Sequence, residues 1–140
     1  MFVKQLSVFI ENREGRLEQV TETLSLAGIN ILALSMADTL EFGMLRMIVS
    51  DHDRALRAVQ EKGFSARLTD VLAVRMEDKP GQLHCIAHIL GNAGINVEYM
   101  YSMATSDRLA IIVKTSDQEK AVKALTEGGL VLYGTEEMNR

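Results

Sequence analysis

The sequence predicts an α+β protein built from two βαββαβ units, each an antiparallel four-stranded sheet with both helices on one face, the two packed side by side. Three observations carry this expectation. The tetrapeptide Ala-Gly-Ile-Asn stands at 27–30 and again at 93–96, followed first by Ile31 and then by Val97. A constant offset of 66 pairs Gly15 with Gly81, Leu17 with Leu83, Leu24 with Leu90, Gly28 with Gly94, Asp51 with Asp117, Ala55 with Ala121 and Gly63 with Gly129. The third observation is that each copy reads, in order, as strand, helix, strand, strand, helix, strand. Length alone sets a prior of one domain per roughly 150 residues. The ungapped repeat overrides it and places the units at 1–69 and 70–140.

In copy one, Gln5 to Ile10 alternates polar and apolar residues as a half-buried strand does. Arg16 to Ala27 then sets Leu17, Val20, Leu24 and Ala27 on one helical face, and Gly28 ends that helix where φ must turn positive. Ile29 to Met36 and Met44 to Val49 are β-rich runs joined by a turn through Asp38 to Gly43. Asp51 or Asp53 caps a second helix to about Lys62, Gly63 closes it, and Phe64 to Leu68 is the last strand. Copy two repeats the series as Val71 to Met76, Gln82 to Asn92, Asn96 to Met103, Leu109 to Thr115, Gln118 to Leu125 and Leu130 to Tyr133. The joint is a residue or two around Asp70. This order of elements is the ferredoxin-like arrangement. A unit of this size buries only about 60% of the surface its unfolded chain exposes. Packing of the two copies on each other, and dimerisation of the chain, are therefore expected.

Composition excludes several classes. With 47% hydrophobic and 24% charged residues the chain is globular rather than disordered. No apolar run approaches the roughly 18 residues of a membrane span, and the start alternates like a strand instead of resembling a signal peptide, which points to the cytoplasm. The net charge of -4, the scatter of Lys and Arg among acids and the absence of Trp argue against a nucleic-acid surface. The single Cys85 cannot make an internal disulfide and reads as a small helix residue.

The first loop of each copy, Glu-Asn-Arg-Glu-Gly-Arg-Leu at 11–17 and Glu-Asp-Lys-Pro-Gly-Gln-Leu at 77–83, carries the chemistry. An Asx residue, two further positions, a Gly and a Leu lie between a strand and a helix start. The free N–H groups and positive dipole end of that helix suit a carboxylate. The side-chain oxygen of Asn12 or Asp78 accepts from an ammonium group beside it. Together they fit the head group of a free amino acid. The competing reading makes Asn12 and Asp78 ordinary helix N-caps.

The tandem pattern Asn12-x-x-Gly15-x-Leu17 and Asp78-x-Pro80-Gly81-x-Leu83, each followed by Ala-Gly-Ile-Asn before the second strand, resembles the ACT domain, in two copies over essentially the whole chain. Copy one is especially similar to the serine-binding regulatory domain of phosphoglycerate dehydrogenase. The resemblance implies a ligand site at the interface of two ACT units, held by the loop Asx of one and by the asparagine opening the second strand of the other. Carried over by motif, the residues are Asn12, Arg13, Glu14, Gly15, Leu17 and Asn30 in copy one. In copy two they are Asp78, Lys79, Pro80, Gly81, Leu83 and Asn96. If the copies pair with each other, Asn12 works with Asn96 and Asp78 with Asn30. Two departures argue against serine itself. The family's histidine two residues before the loop Asx is Ile10 here, or Met76, and the usual loop proline is Glu14 in copy one, whose carboxylate would repel the ligand's own. Met36, Tyr99, Met100, Tyr101 and Met103 offer a softer, apolar pocket lining, although the same run reads as plain core.

Other signals are weaker. His84 and His88 share a helix face at metal-ligand spacing, but their counterparts are Glu18 and Glu22, while Leu83, Ile86, Ala87 and Leu90 form the buried stripe and Cys85 points elsewhere. No metal or cofactor is expected. The common catalytic signatures are absent, and Arg13 or Arg16 only distantly imitates the loop arginine of acylphosphatases, whose topology is similar. The expectation is a stand-alone, non-enzymatic regulator that binds a free amino acid at ACT-domain interfaces. The first alternative is a ligand-free structural or regulatory subunit of an amino-acid or aromatic-acid metabolic enzyme complex. An acylphosphatase-like hydrolase is the distant one.

Overall fold

The computed structural model describes residues 2–38 and 42–138. It contains β1 (Val3–Glu11), α1 (Arg16–Leu26), β2 (Ile31–Asp38), β3 (Phe42–Val49), α2 (His52–Glu61), β4 (Ser65–Arg75), α3 (Gln82–Asn92), β5 (Val97–Ala104), β6 (Leu109–Thr115), α4 (Gln118–Glu127) and α5 (Thr135–Met138). The chain divides into two compact units. One runs from Lys4 to Thr69 and the other from Asp70 to Met138, with Phe2 and Val3 belonging to the second. Both are βαββαβ units of the ferredoxin-like kind, so the α+β class stands.

In the first unit the strand order is β2-β3-β1-β4, with β1 antiparallel to β3 from Leu6 opposite Met47 to Glu11 opposite Phe42. Alternation along β1 sends Leu6, Val8 and Ile10 to the helix side, where they meet Leu45, Met47 and Val49 of β3 and the stripes Val20, Leu24 of α1 and Ala55, Val59 of α2. The other side of β1 carries Val3 and Phe9 beside the polar Gln5, Ser7 and Glu11. Gln5 Nε2 donates to Ser7 Oγ at 3.0 Å, and Ser7 Oγ lies 3.3 Å from Thr69 Oγ1, so these buried groups are satisfied.

The second unit repeats the pattern with β4-β6-β5 and a core of Leu72, Val74, Ile86, Leu90, Ile111, Val113, Ala121 and Leu125. Phe2 packs against this core and its carbonyl accepts from Thr135 Oγ1 at 2.9 Å.

The repeated Ala-Gly-Ile-Asn is a helix terminator. Gly28 (φ 73°) and Gly94 (φ 71°) take the left-handed conformation that costs other residues a steric penalty. Gly28 N–H then donates to Ser25 O at 3.0 Å and Ile29 N–H to Leu24 O at 2.9 Å, and Gly94 and Ile95 bond Gly91 O and Leu90 O in the same way. This is the Schellman closure, and its accompanying apolar contact is made by Ile29 and Ile95, each 6% exposed.

Four sequence expectations are corrected. Phe64–Leu68 and Val71–Met76 are not separate strands, because nothing around Asp70 turns the chain, and β4 runs unbroken from Ser65 to Arg75. Leu130–Tyr133 is reduced to a bridge between Val74 and Leu132, with Arg75 N–H donating to Val131 O and Tyr133 N–H to Ala73 O, both at 2.8 Å. The chain leaves the sheet there because Gly134 opens α5: its carbonyl accepts from Met138 N–H, and its own N–H donates to Glu137 Oε1 at 3.1 Å. The expected turn from Asp38 to Gly43 is shorter, since Asp38 and Gly43 still pair across β2 and β3, and its residues 39–41 lie outside the described residues. Finally, the buried helix stripes are narrower than the periodicity implies. Leu17 and Leu83 are 41% and 44% exposed, and Ala87 is exposed, because each helix presents only two residues, Val20 and Leu24 or Ile86 and Leu90, squarely to its sheet.

Candidate functional site

Each first loop is a tight reversal built by local bonds. Arg13 N–H donates back to Glu11 O at 2.8 Å, and Lys79 N–H to Glu77 O at 2.9 Å. Gly15 (φ 83°) and Gly81 (φ 86°) then occupy the N-cap positions of α1 and α3 in a conformation that suits glycine. Their carbonyls accept the first helical bonds, from Gln19 N–H at 3.1 Å and Cys85 N–H at 3.0 Å. Neither helix has a side-chain cap. Asn12 and Asp78 are therefore not N-caps, which removes the competing reading of these two residues.

The other two long helices form a contrast within the same chain. Asp51 caps α2 by accepting from Arg54 N–H, and Asp117 caps α4 by accepting from Lys120 N–H, both at 3.1 Å. The first-turn donors of α1 and α3 keep the positive end of the helix dipole without a side-chain acceptor on them. Asn12, Arg13 and Glu14 are exposed beside the first of these ends and line an open recess. Asp78, Lys79 and Pro80 are exposed beside the second, and Leu17 and Leu83 are the half-exposed apolar residues next to them.

Glu11 and Glu77, at the start of the two loops, are each paired. Glu11 bridges Arg13 at 3.3 Å and Arg16 at 3.0 Å, and Arg16 also donates to Gln19 Oε1 at 2.9 Å. In the second unit Glu77 meets Lys79 at 2.9 Å. The hydrogen bond from Lys79, then its charge, holds the Glu77 carboxyl below the ordinary carboxylate range, and the same contact raises the Lys79 ammonium.

Asn30 and Asn96 are held by a device repeated in both units. Asn30 N–H donates to Ser50 Oγ and Ser50 N–H donates to Asn30 O, each at 2.9 Å. Asn96 N–H donates to Ser116 Oγ at 3.1 Å and Ser116 N–H to Asn96 O at 2.9 Å. Both asparagines are exposed at the start of the second strand of their unit. Ser50 and Ser116 hold the backbones of the two candidate asparagines, a role that the sequence reading missed, although they stand at the same offset of 66 and each precedes a capping aspartate.

Within a unit the structure does not bring loop and asparagine together. The eleven residues of α1 separate Asn12 from Asn30, a rise of about 16 Å, and α3 separates Asp78 from Asn96 likewise. A site using both kinds of residue needs a second unit to supply one of them. Of the residues expected to soften a pocket, Met103 is fully buried and belongs to the core, whereas Met36 is 43% exposed.

The family model for the ACT domain pair matches residues 1–139. The chain belongs to the ACT domain pair family. The pair is a regulatory module rather than a catalytic one. Among solved structures, this ACT pair is similar to protein BT0572 from Bacteroides thetaiotaomicron, at 36% identity over 100% of this chain and 97% of that one, with a TM-score of 0.93. It also resembles the ligand-free regulatory subunit of aspartate kinase from Thermus thermophilus, at 20% identity, 89% and 91% coverage and a TM-score of 0.60. The aspartate kinase regulatory subunit from Thermus flavus is similar at 21% identity, 90% and 92% coverage and a TM-score of 0.57. At the identities of the last two the likeness is one of fold. No curated protein matches the ACT pair.

In this ACT pair His84 and His88 stack at 5.9 Å on the exposed face of α3, and His88 Nε2 lies 3.1 Å from Asn92 Nδ2. Among the described residues no group of three His, Cys, Asp or Glu side chains is placed to hold a metal. No helix among them is long and apolar enough to cross a membrane.

Proposed function

We propose that this chain is a non-enzymatic cytoplasmic regulator that binds a free amino acid at ACT-domain interfaces and acts as a homodimer. The observation that carries the reading is the contrast between capped and uncapped helices: α2 and α4 are closed by Asp51 and Asp117, while α1 and α3 begin at glycines with no side-chain cap. A carboxylate completes those first turns. Asn12 or Asp78 accepts from the ammonium, Asn30 or Asn96 of a neighbouring ACT unit supplies the opposite side, and Arg13, Glu14, Lys79 and Pro80 shape the rim. Regulation follows if the ligand binds one packing state better than another, since equal affinity shifts nothing.

A thermal-shift screen of the purified chain against the twenty amino acids tests this. At 100 times its Kd a ligand stabilises by about 2.7 kcal/mol, several degrees for a protein of this size. One or two hits that vanish in Asn30→Ala and Asn96→Ala are expected. A flat screen at millimolar concentration sinks the reading.

One observation favours a second reading, in which the pair is a ligand-free subunit of a metabolic enzyme complex. Glu14 places an exposed carboxylate in the first loop, where it opposes a carboxylate ligand. That reading requires copurification with an enzyme whose activity changes when the chain is removed. Acyl-phosphate hydrolysis is disfavoured by charge, because Glu11 occupies the guanidinium groups of both Arg13 and Arg16.

A further inference from the structure

The offset of 66 also relates two clefts, one in each unit. The first, about 220 Å³, is lined by Phe9, Glu11, Arg16, Phe42, Lys62 and Phe64 among others. The second, about 180 Å³, is lined by Arg75, Glu77, Gln82, Gly129, Leu130 and Val131. Phe9, Glu11, Arg16 and Phe64 correspond to Arg75, Glu77, Gln82 and Leu130, so one place in the fold carries two different chemistries. The fold does not require aromatic rings there, since the second unit builds its cleft without them.

In the first cleft the rings are concentrated. Three of the four phenylalanines of the chain line it, and Phe9 and Phe42 remain 41% and 53% exposed. Leaving such surface in water forfeits burial free energy unless something covers it. The Arg16 guanidinium lies 5.9 Å from the Phe64 ring centroid, and its Nε is buried without a hydrogen-bond partner. Glu11 is already bonded to Arg13 and Arg16, whereas Lys62 is exposed and forms no ion pair among the described residues. The cleft thus offers apolar ring faces beside a cationic end. Its volume exceeds the roughly 150 Å³ that encloses a benzene ring, leaving room for a short anionic substituent.

We infer that the cleft formed by Phe9, Phe42, Phe64, Arg16 and Lys62 in the first unit binds a small aromatic carboxylate. The ring stacks against Phe9 and Phe42, and the carboxylate faces the Lys62 ammonium. This site is separate from the residues Asn12, Gly15 and Asn30 of the amino-acid reading, and stands or falls independently of it.

The probe is 3-phenylpropionate, titrated into the full ¹⁵N-labelled chain by NMR with the uncharged 3-phenylpropanamide in parallel. Saturable shifts at Phe9, Phe42 and the segment 62–65 are expected. Phe42→Ala weakens binding about tenfold by removing an aromatic contact and its covered area. Lys62→Gln weakens the carboxylate roughly three- to fivefold, as expected for an exposed charge pair, and leaves the amide unchanged. Both positions are exposed, so the variants fold, and Val131→Ala in the second cleft and Asn30→Ala leave the affinity unaltered. The inference is overturned by the lack of saturable shifts at those residues, by equal binding in Phe42→Ala and Lys62→Gln, or by binding lost in Asn30→Ala, which moves the ligand to the amino-acid site. A flat amino-acid screen leaves this result standing, and the reverse also holds.

Discussion

Four aspartate or asparagine side chains sit near helix starts in equivalent pairs, and they do different work. Asp51 and Asp117 accept from the backbone N–H three residues on, which satisfies one orphan donor of their helix. Asn12 and Asp78 precede glycine caps by three residues and make no such bond. Asp117→Ala is therefore expected to cost about 1 kcal/mol. Asn12→Ala and Asp78→Ala are expected to change stability by less than about 0.5 kcal/mol, as exposed side chains do. Urea denaturation of the three variants checks the contrast, and a loss for Asp78→Ala as large as that for Asp117→Ala would return Asp78 to the role of a cap.

At the scale of elements, each unit joins the end of its first helix to the end of its third strand through one backbone bond and one bond to a serine hydroxyl. The Schellman glycine delivers Asn30 or Asn96 to the strand, and Ser50 or Ser116 then holds its backbone on both the donor and the acceptor side. Arg54 reinforces the junction in the first unit by donating to Ala27 O at 2.5 Å. Ser50→Ala removes the acceptor of the Asn30 N–H and is expected to cost about 1 kcal/mol. Hydrogen exchange at Asn30 accelerates by about fivefold if that bond is what protects it. Ser116→Ala is expected to act on Asn96 alike, and unchanged exchange at both sites would dismiss the serines as supports. The element scale also explains why the asparagines and the loops lie apart: a helix of eleven residues intervenes in each unit.

At the scale of the whole molecule, the duplication gives each unit a hydrophobic cluster drawn from its own residues. Leu24 and Leu90 are equivalent, buried and large, so truncation of either to Ala leaves a cavity costing about 2–5 kcal/mol. Native-state hydrogen exchange is expected to rise first in β1 for Leu24→Ala and in β6 for Leu90→Ala. A uniform rise over all strands in both variants would mean that the clusters melt as one.

The sequence by itself determined the duplication, the succession of strands and helices, the ends of α1 and α3 and, for α2, a cap at one of two aspartates, Asp51 or Asp53. All of these are local: a glycine at positive φ, an Asp three residues before its N–H partner, or an alternation of period two acts through neighbours in the chain. The sequence also located the loops and the asparagines Asn30 and Asn96. Only the tertiary structure decided that Asn12 and Asp78 are not caps, because the choice between Asx and Gly as the cap depends on where the chain turns after the strand. It decided that Leu17 and Leu83 stand half in water, since a period of 3.6 identifies a helix face but not where the sheet beneath it ends. It merged two expected strands into β4 and reduced the last one to a bridge, outcomes set by hydrogen-bond partners distant in sequence. The gathering of Phe9, Phe42, Phe64 and Arg16 along one cleft belongs to the same class, because β1, β3, α1 and the residue before β4 bring together side chains that no local spacing relates.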